Sequence, residues 1–279
     1  MDTDVIIIGG GLAGLSCAVK LAQRGVNFQI LEATDRIGGR VRTDNVDGFL
    51  LDHGFQVLLT AYPAAQELLD YDALRLNPFE PGALVRDQSR FLSIDDPWRH
   101  PSSILSTVTS GVGTLADKFR IGRLRYDVCR GELDDLFDRV QQPTIYRLQS
   151  LGFSDHFIDQ FLKPWFSGVF LDSDLATSSR VFEFVFRMFS SGDVALPSGG
   201  MQAIPRQLAD RLPSESICLE TTVSTIEGTS VVLTDGTRKS AKEVVVATEG
   251  STAARLLGRP DNIDWQSVLC FYFSADEAP

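Results

Sequence analysis

Three glycines near the N-terminus, Gly9, Gly11 and Gly14, fall in the spacing G-x-G-x-x-G as Gly9-Gly10-Gly11-Leu12-Ala13-Gly14. That spacing suits phosphate chemistry. The first glycine permits a tight turn, the second lets backbone approach a pyrophosphate, and the third lets a helix pack closely on a strand. A helix starting there offers unpaired N–H groups and the positive end of its dipole to an anion. Glu32 lies 18 residues beyond Gly14, where an acid accepts hydrogen bonds from ribose hydroxyls. A carboxylate in that place disfavours a ribose 2′-phosphate, and with it NADP.

The flanking segments are those this chemistry needs. Val5-Ile6-Ile7-Ile8 is apolar and β-branched throughout, suiting a strand buried on both faces. Leu15, Ala18, Val19, Leu21 and Ala22 recur at helical spacing, and Arg24-Gly25 stops the helix. Phe28-Gln29-Ile30-Leu31 reads as a second buried strand ending at Glu32. A lone G-x-G-x-x-G is often only a flexible loop. Strand, glycines, helix, strand and acid in order predict a dinucleotide-binding unit.

A second glycine pair follows the acid, in Ala33-Thr34-Asp35-Arg36-Ile37-Gly38-Gly39-Arg40. A ligand longer than the first unit would need it, because its second phosphate runs onward. Gly38 and Gly39 allow close backbone approach, and Arg40 offers a fork of donors for phosphate. Standing alone, the segment would read as a turn with a surface arginine.

Joined to the first motif, Glu32-Ala33-x-x-Arg36-x-Gly38-Gly39-Arg40 resembles the flavin-dependent amine oxidases, phytoene desaturases and protoporphyrinogen oxidases. The resemblance implies FAD as cofactor. Gly9, Gly11, Ala13 and Gly14 would form the phosphate loop, Glu32 and Ala33 the adenosine side, and Gly38, Gly39 and Arg40 the diphosphate side. The stretch from Asp47 to Gln56 continues the resemblance and implies Gly54, Phe55 and Gln56 beside the flavin ring. Asp52 and His53 read equally well as turn residues, and no catalytic acid or base is assigned. Further on, Pro197-Ser198-Gly199-Gly200-Met201 is similar to a segment where relatives return from substrate domain to flavin domain. By the same resemblance Val223 would meet the adenine through its backbone, with Ala247 and Thr248 skirting the dinucleotide.

The chain has 279 residues, enough for two modest domains, with 43% hydrophobic and 23% charged residues. Its net charge of −11 argues against nucleic acid as a partner. Cys17, Cys129, Cys218 and Cys270 form no C-x-x-C and no metal cluster with the three histidines, and each reads as a small buried residue. No apolar run reaches the roughly 18 residues of a membrane span, and the acidic start is unlike a signal peptide. These features suggest a cytoplasmic protein.

The expected fold is α/β: a Rossmann-like FAD-binding domain, with parallel sheet plus β-meander, interrupted by a mainly helical α+β substrate domain. The parts are 1–60 and 194–279 for the FAD-binding domain and 61–193 for the insertion. The meander is expected from Ile217 to Val223, Ser230 to Thr234 and Glu243 to Thr248, with a turn at Asp235-Gly236. The insertion is expected to hold a hairpin from Ala83 to Ser93, turning at residues 87–89. Helices are expected at 114–130, 133–151, 155–166 and 178–190. Arg120, Arg123, Arg125 and Arg130 read as a solvated face. Aromatic residues from Phe153 to Phe189 read mostly as core, and as a group they hint at an apolar substrate channel.

The resemblance implies a hydride taken from a C–N or C–C bond of a mostly apolar small molecule, with oxygen or a quinone among the conceivable electron acceptors. Two other readings stay open: a flavin-dependent isomerase or mutase, and a non-catalytic nucleotide-binding remnant. Relatives run on for roughly a hundred residues more, so a missing C-terminal part is expected, with Val268 to Phe273 beginning a strand.

Overall fold

The computed structural model describes residues 3–54, 56–87, 90–261 and 265–275. Its largest sheet is built around β1 (Thr3–Ile8). On one side β1 pairs in parallel with β2 (Phe28–Leu31), from Val5 opposite Phe28 to Ile8 opposite Leu31. On the other it pairs in parallel with the long strand Arg238–Val246, Ile8 opposite Val246. Helix α1 (Leu12–Gln23) makes the crossover between β1 and β2.

The apolar run of β1 is used on both faces, as its composition predicts. Val5 and Ile7 pack with Leu15, Ala18 and Val19 of α1. Ile6 and Ile8 face the opposite way, onto Val223, Val231 and Leu233 of the antiparallel meander. That meander is Val223–Glu227, Ser230–Leu233 and Arg238–Val246. The segment read as one strand from Ile217 to Val223 is in fact divided. Ile217–Cys218 adds in parallel to β2 at the far edge of the sheet. Glu220, with φ +51°, then turns the chain away, and Val223 begins the strand at the opposite edge.

The chain leaves this sheet and returns to it as neighbours. Leu58–Leu59 pairs antiparallel with Val194–Pro197, which also pairs with Leu76–Pro78. Between them lies a second core dominated by Phe153, Phe157, Phe166, Phe182 and Phe186, all buried. The expected hairpin is Gly82–Asp87 against Arg90–Asp95, and Gln88 and Ser89 of its turn lie outside the described residues. Among the described residues no helix is long and apolar enough to cross a membrane.

Two expected helices differ. The span 133–151 divides into Asp135–Asp138 and Thr144–Ser150. Pro143 explains the gap: it lacks an N–H, and it forces the residue before it out of helical conformation. The span 155–166 begins as a helix, passes through one π-turn at Ile158–Leu162 and continues as Lys163–Phe170. Helix 178–190 matches Ser179–Ser191 closely, and the helix expected at 114–130 spans Leu115–Val128. Val268 to Phe273 forms no strand and its large side chains are exposed, since no neighbouring strand pairs with it. The cysteines are not fully buried either; Cys270 is exposed and the other three are intermediate.

Two buried carboxylates hold the helical part together. Glu183, only 2% exposed, accepts from Arg147 Nε at 2.8 Å and from Arg139 Nη1 at 3.0 Å. Asp117 is wholly buried; it accepts from the backbone N–H of Thr114 and of Ser154, and from both their hydroxyls. It thereby caps its own helix and ties it to the start of the next. Arg125 is not a solvated residue. It donates to Asp96 Oδ2 at 3.0 Å and to the Ser190 carbonyl at 2.7 Å, and it lies over the Trp98 ring. The cation thus meets the negative end of helix Ser179–Ser191.

Removing Glu183 would leave Arg147 without its carboxylate and Arg139 with Asp127 alone, so Glu183→Ala should cost about 3 kcal/mol in urea unfolding. Burial raises the Asp117 pKa, but its four hydrogen bonds outweigh that and hold it at about 2. The native state therefore binds fewer protons than the unfolded chain, and stability should fall as pH drops from about 4 to about 2. Asp117→Asn should lessen that drop by about 2 kcal/mol, read from unfolding curves at pH 5 and pH 2.5.

Candidate dinucleotide site and adjoining cavity

The first loop is shaped by contacts that exclude side chains. Gly9 has φ +109°, and a Cβ there would lie 2.8 Å from the Ala247 carbonyl oxygen. A Cβ on Gly14 would lie 2.0 Å from the Gly9 carbonyl oxygen, so this glycine sets how closely α1 sits on β1. Gly11 differs from both. It is the N-cap of α1, has ordinary extended backbone, and a Cβ built on it meets nothing within 4 Å. No side chain caps this helix, and Leu12 and Ala13 of its first turn are exposed. The first-turn N–H groups of an α-helix have no partner within the helix, so this end is free to meet an anion.

Glu32 ends β2 beneath that loop and is 7% exposed. Its Oε2 accepts from Gly10 N–H at 2.6 Å, while Oε1 accepts from Thr34 N–H at 2.9 Å and from the Thr34 hydroxyl at 2.8 Å. The carboxylate is thereby fixed against the glycine loop. Ala33 beside it is exposed. Thr221 donates its N–H to the Glu32 carbonyl, which fixes the approach to Val223; Val223 itself is buried under the meander. Ala247 and Thr248 cover Gly9, and the Ala247 N–H continues the ladder to Ile8.

The second glycine pair is stacked on the first, backbone to backbone. Gly38 N–H donates to the Gly10 carbonyl at 2.9 Å, and Gly11 and Gly38 form an isolated parallel bridge. A Cβ on Gly39 would lie 3.3 Å from Gly11 Cα. Arg40 is exposed beside this junction, and its guanidinium has no partner among the described residues. Reading the sequence missed Arg42, which donates to the Gly39 carbonyl and to Thr34 Oγ1, braced against the carboxylate of Glu32. It also missed Gln202, whose amide donates to the Ile37 carbonyl from the Gly199-Gly200-Met201 turn. Gly200 is required there, since a Cβ would lie 2.5 Å from Thr43 Cγ2.

From this junction a cavity of about 2730 Å³ opens toward the helical part. Ala13, Gly39, Arg40, Gly54 and Gln56 line one end of it. Gln56 donates to the carbonyls of Arg40 and His53, bracing that wall. Phe55 lies outside the described residues. His53 also lines the cavity, held through Nε2 by Asp44 at 2.6 Å. Hydrogen bonds from His53 first, and then from Arg36, hold the Asp44 carboxyl below the usual carboxylate range. Asp52 has a structural task, accepting from Met201 N–H at 3.0 Å and from the Thr43 hydroxyl. At the other end the wall is aromatic, with Phe161, Trp165 and Phe189 in ring-to-ring contact. Of the residues expected to touch the dinucleotide, Gly9, Gly11, Gly14, Glu32, Ala33, Gly38, Val223, Ala247 and Thr248 lie outside this cavity, around the loop junction.

The family model for flavin containing amine oxidoreductases matches residues 12–279. The chain belongs to that family. Protoporphyrinogen oxidase 2 of Arabidopsis thaliana is 27% identical over 165 residues, 59% of this chain and 32% of that protein. Coproporphyrinogen III oxidase of Propionibacterium freudenreichii is 31% identical over 124 residues, 42% of this chain and 24% of that protein. Among solved structures, putrescine oxidase bound to putrescine superposes with a TM-score of 0.65 at 20% identity, covering 92% of this chain and 60% of that one. This member of the flavin-containing family thus shares its α/β fold with putrescine oxidase, and it spans only part of the length of each of these relatives.

The two glycines at the heart of the loop should respond oppositely to alanine. Gly14→Ala places a methyl group against backbone and should lose about 3 kcal/mol in chemical unfolding. Gly11→Ala meets open space and should stay within about 1 kcal/mol of the parent.

Proposed function

We propose that this chain binds FAD and forms part of an oxidoreductase that removes a hydride from a C–N or C–C bond of a mostly apolar small molecule. The observation that carries this reading is the continuity of one cavity from Gly39 and Arg40, at the edge of the stacked glycine loops, to the aromatic wall. A dinucleotide needs exposed backbone and a free cation at its phosphates, and an apolar substrate needs an apolar chamber adjoining the reactive end.

The residues present fit the cofactor. Gly11 leaves space where a pyrophosphate would approach, and the uncapped start of α1 supplies donors. Arg40, unpaired, would take phosphate oxygens, and the fixed carboxylate of Glu32 would accept from ribose hydroxyls. Ala33, Val223, Ala247 and Thr248 would complete the adenosine side, with Gly54 and Gln56 beside the ring. Bound FAD would supply a two-electron acceptor for the hydride. The protein's own contribution is to orient the substrate and to keep water from the chamber; passage of electrons onward to oxygen or another acceptor belongs to this proposal too.

The visible absorption spectrum tests it, recorded after FAD is added and the excess removed. Flavin bands should remain with the parent protein. Gly11→Ala should be colourless despite its retained stability, and Arg40→Ala should weaken FAD binding about tenfold. A parent protein that retains no flavin would overturn the reading.

A further inference from the structure

One face of helix Leu115–Val128 is turned to solvent although much of it is apolar. Leu115, Phe119 and Tyr126 fall at the spacing of a single helix face and are 66%, 74% and 64% exposed. Gly122 lies on the same face and has no side chain to contribute. Trp98 takes its place. A Cβ on Gly122 would lie 3.4 Å from two atoms of the Trp98 ring, which is itself half exposed. A glycine inside a helix is destabilising, and here its bare backbone is what seats the indole. The stripe continues onto the preceding helix, Ile104–Thr109. Lys118 Nζ donates to the carbonyls of Val108 at 2.9 Å and Ser110 at 2.8 Å, tying the end of that helix to the start of the next. Leu105 and Val108, three residues apart, are both exposed.

This apolar surface is also the rim of the large cavity. Leu84, Trp98, Val108, Leu115 and Phe119 each line the cavity and are each exposed. Exposed apolar side chains are ordinary when scattered, whereas contiguous ones mark an interaction surface. The charge around them is basic, although the chain as a whole carries −11. Residues 115–130 hold Lys118, Arg120, Arg123, Arg125 and Arg130 against two acids, Asp117 and Asp127. Asp117 is buried, and Asp127 is paired with Arg139. Arg123 stands between Phe119 and Tyr126, exposed and without a partner among the described residues. Arg130 lies over the Tyr126 ring, 4.9 Å from its centroid.

We propose that this face docks on an anionic lipid bilayer. Leu105, Leu115, Phe119 and Trp98 would enter the boundary between headgroups and acyl chains, with Arg123 and Arg130 at the headgroup phosphates. That division of apolar, aromatic and basic side chains is what holds a helix in the plane of a membrane surface. A second copy of the chain fits less well, because pairing two such faces would bring their arginines together. An apolar molecule dissolved in the bilayer would then reach the mouth of the chamber without crossing water. That route rests on the reading of the cavity as a substrate chamber; the docking does not.

Vesicle co-sedimentation of the full chain, with no flavin added, tests the proposal. One set of vesicles is phosphatidylcholine alone, and the other is phosphatidylcholine and phosphatidylglycerol in equal parts. The parent should bind the mixed vesicles about tenfold more tightly, and added salt should remove most of that difference. Phe119→Ser should weaken binding to mixed vesicles about tenfold, and Arg123→Gln about fivefold. Phe49→Ser, which removes a similarly exposed ring from the distant strand Phe49–Asp52, should change nothing. All three variants should melt within about 2 °C of the parent, since each side chain meets solvent. The proposal is overturned if the parent ignores the anionic lipid, or if Phe49→Ser weakens binding as much as Phe119→Ser. It is equally overturned if Phe119→Ser melts several degrees lower, or if the parent self-associates without vesicles and Phe119→Ser abolishes that. A parent that binds the mixed vesicles but retains no flavin would overturn the cofactor reading alone.

Discussion

The contact of Gly14 on the Gly9 carbonyl is the constraint from which the rest of the site follows. Only a missing side chain lets α1 descend this far onto β1, and only at that depth does its first turn open beside the ends of the strands. The second glycine pair then has a fixed backbone to stack on, through Gly38 N–H and the Gly10 carbonyl. Glu32 completes the arrangement by accepting from Gly10 on the other side. Three segments separated in sequence are therefore set by backbone contacts and one carboxylate, with little freedom to adjust.

The helical part obeys a different physics. Its core is aromatic, and aromatic packing tolerates a range of ring angles, so it fixes a chamber without fixing each wall to a fraction of an ångström. Exact placement comes instead from charged groups at the joints. Asp117 joins two helix starts, Glu183 joins three segments through two arginines, and Arg125 secures the end of helix Ser179–Ser191. Paired strands at Leu58–Leu59 and Val194–Pro197 carry that framework back to the sheet. The cavity lies between the rigid glycine junction and this aromatic framework, which is why one end is lined by backbone and cation and the other by rings.

Much of the site was legible before folding because it depends on local spacing. The glycines, the acid ending β2 and the apolar run of β1 follow directly from neighbouring residues. Arg125 was misread as solvated because nothing local marks its partners, Asp96 and the Ser190 carbonyl, which are 29 and 65 residues away. The long helix at 133–151 failed at Pro143 because hydrophobic periodicity ran across a residue that cannot continue a helix. Arg42, Thr34 and Gln202 escaped notice for the same reason as Arg125: each acts by bracing backbone that only the fold brings near.

By itself, then, the sequence determined a dinucleotide-type βαβ unit, its acid, its second glycine pair and the aromatic character of the intervening region. Those features repeat at intervals fixed by strand and helix geometry, so composition and spacing suffice. The tertiary structure alone decided that Ile217–Cys218 and Val223–Glu227 fall at opposite edges of one sheet. It also decided that His53 lines a cavity while Asp52 ties the chain to Met201 and Thr43. Each of these depends on which distant groups fill the space around a residue, and that is settled only when the whole chain packs.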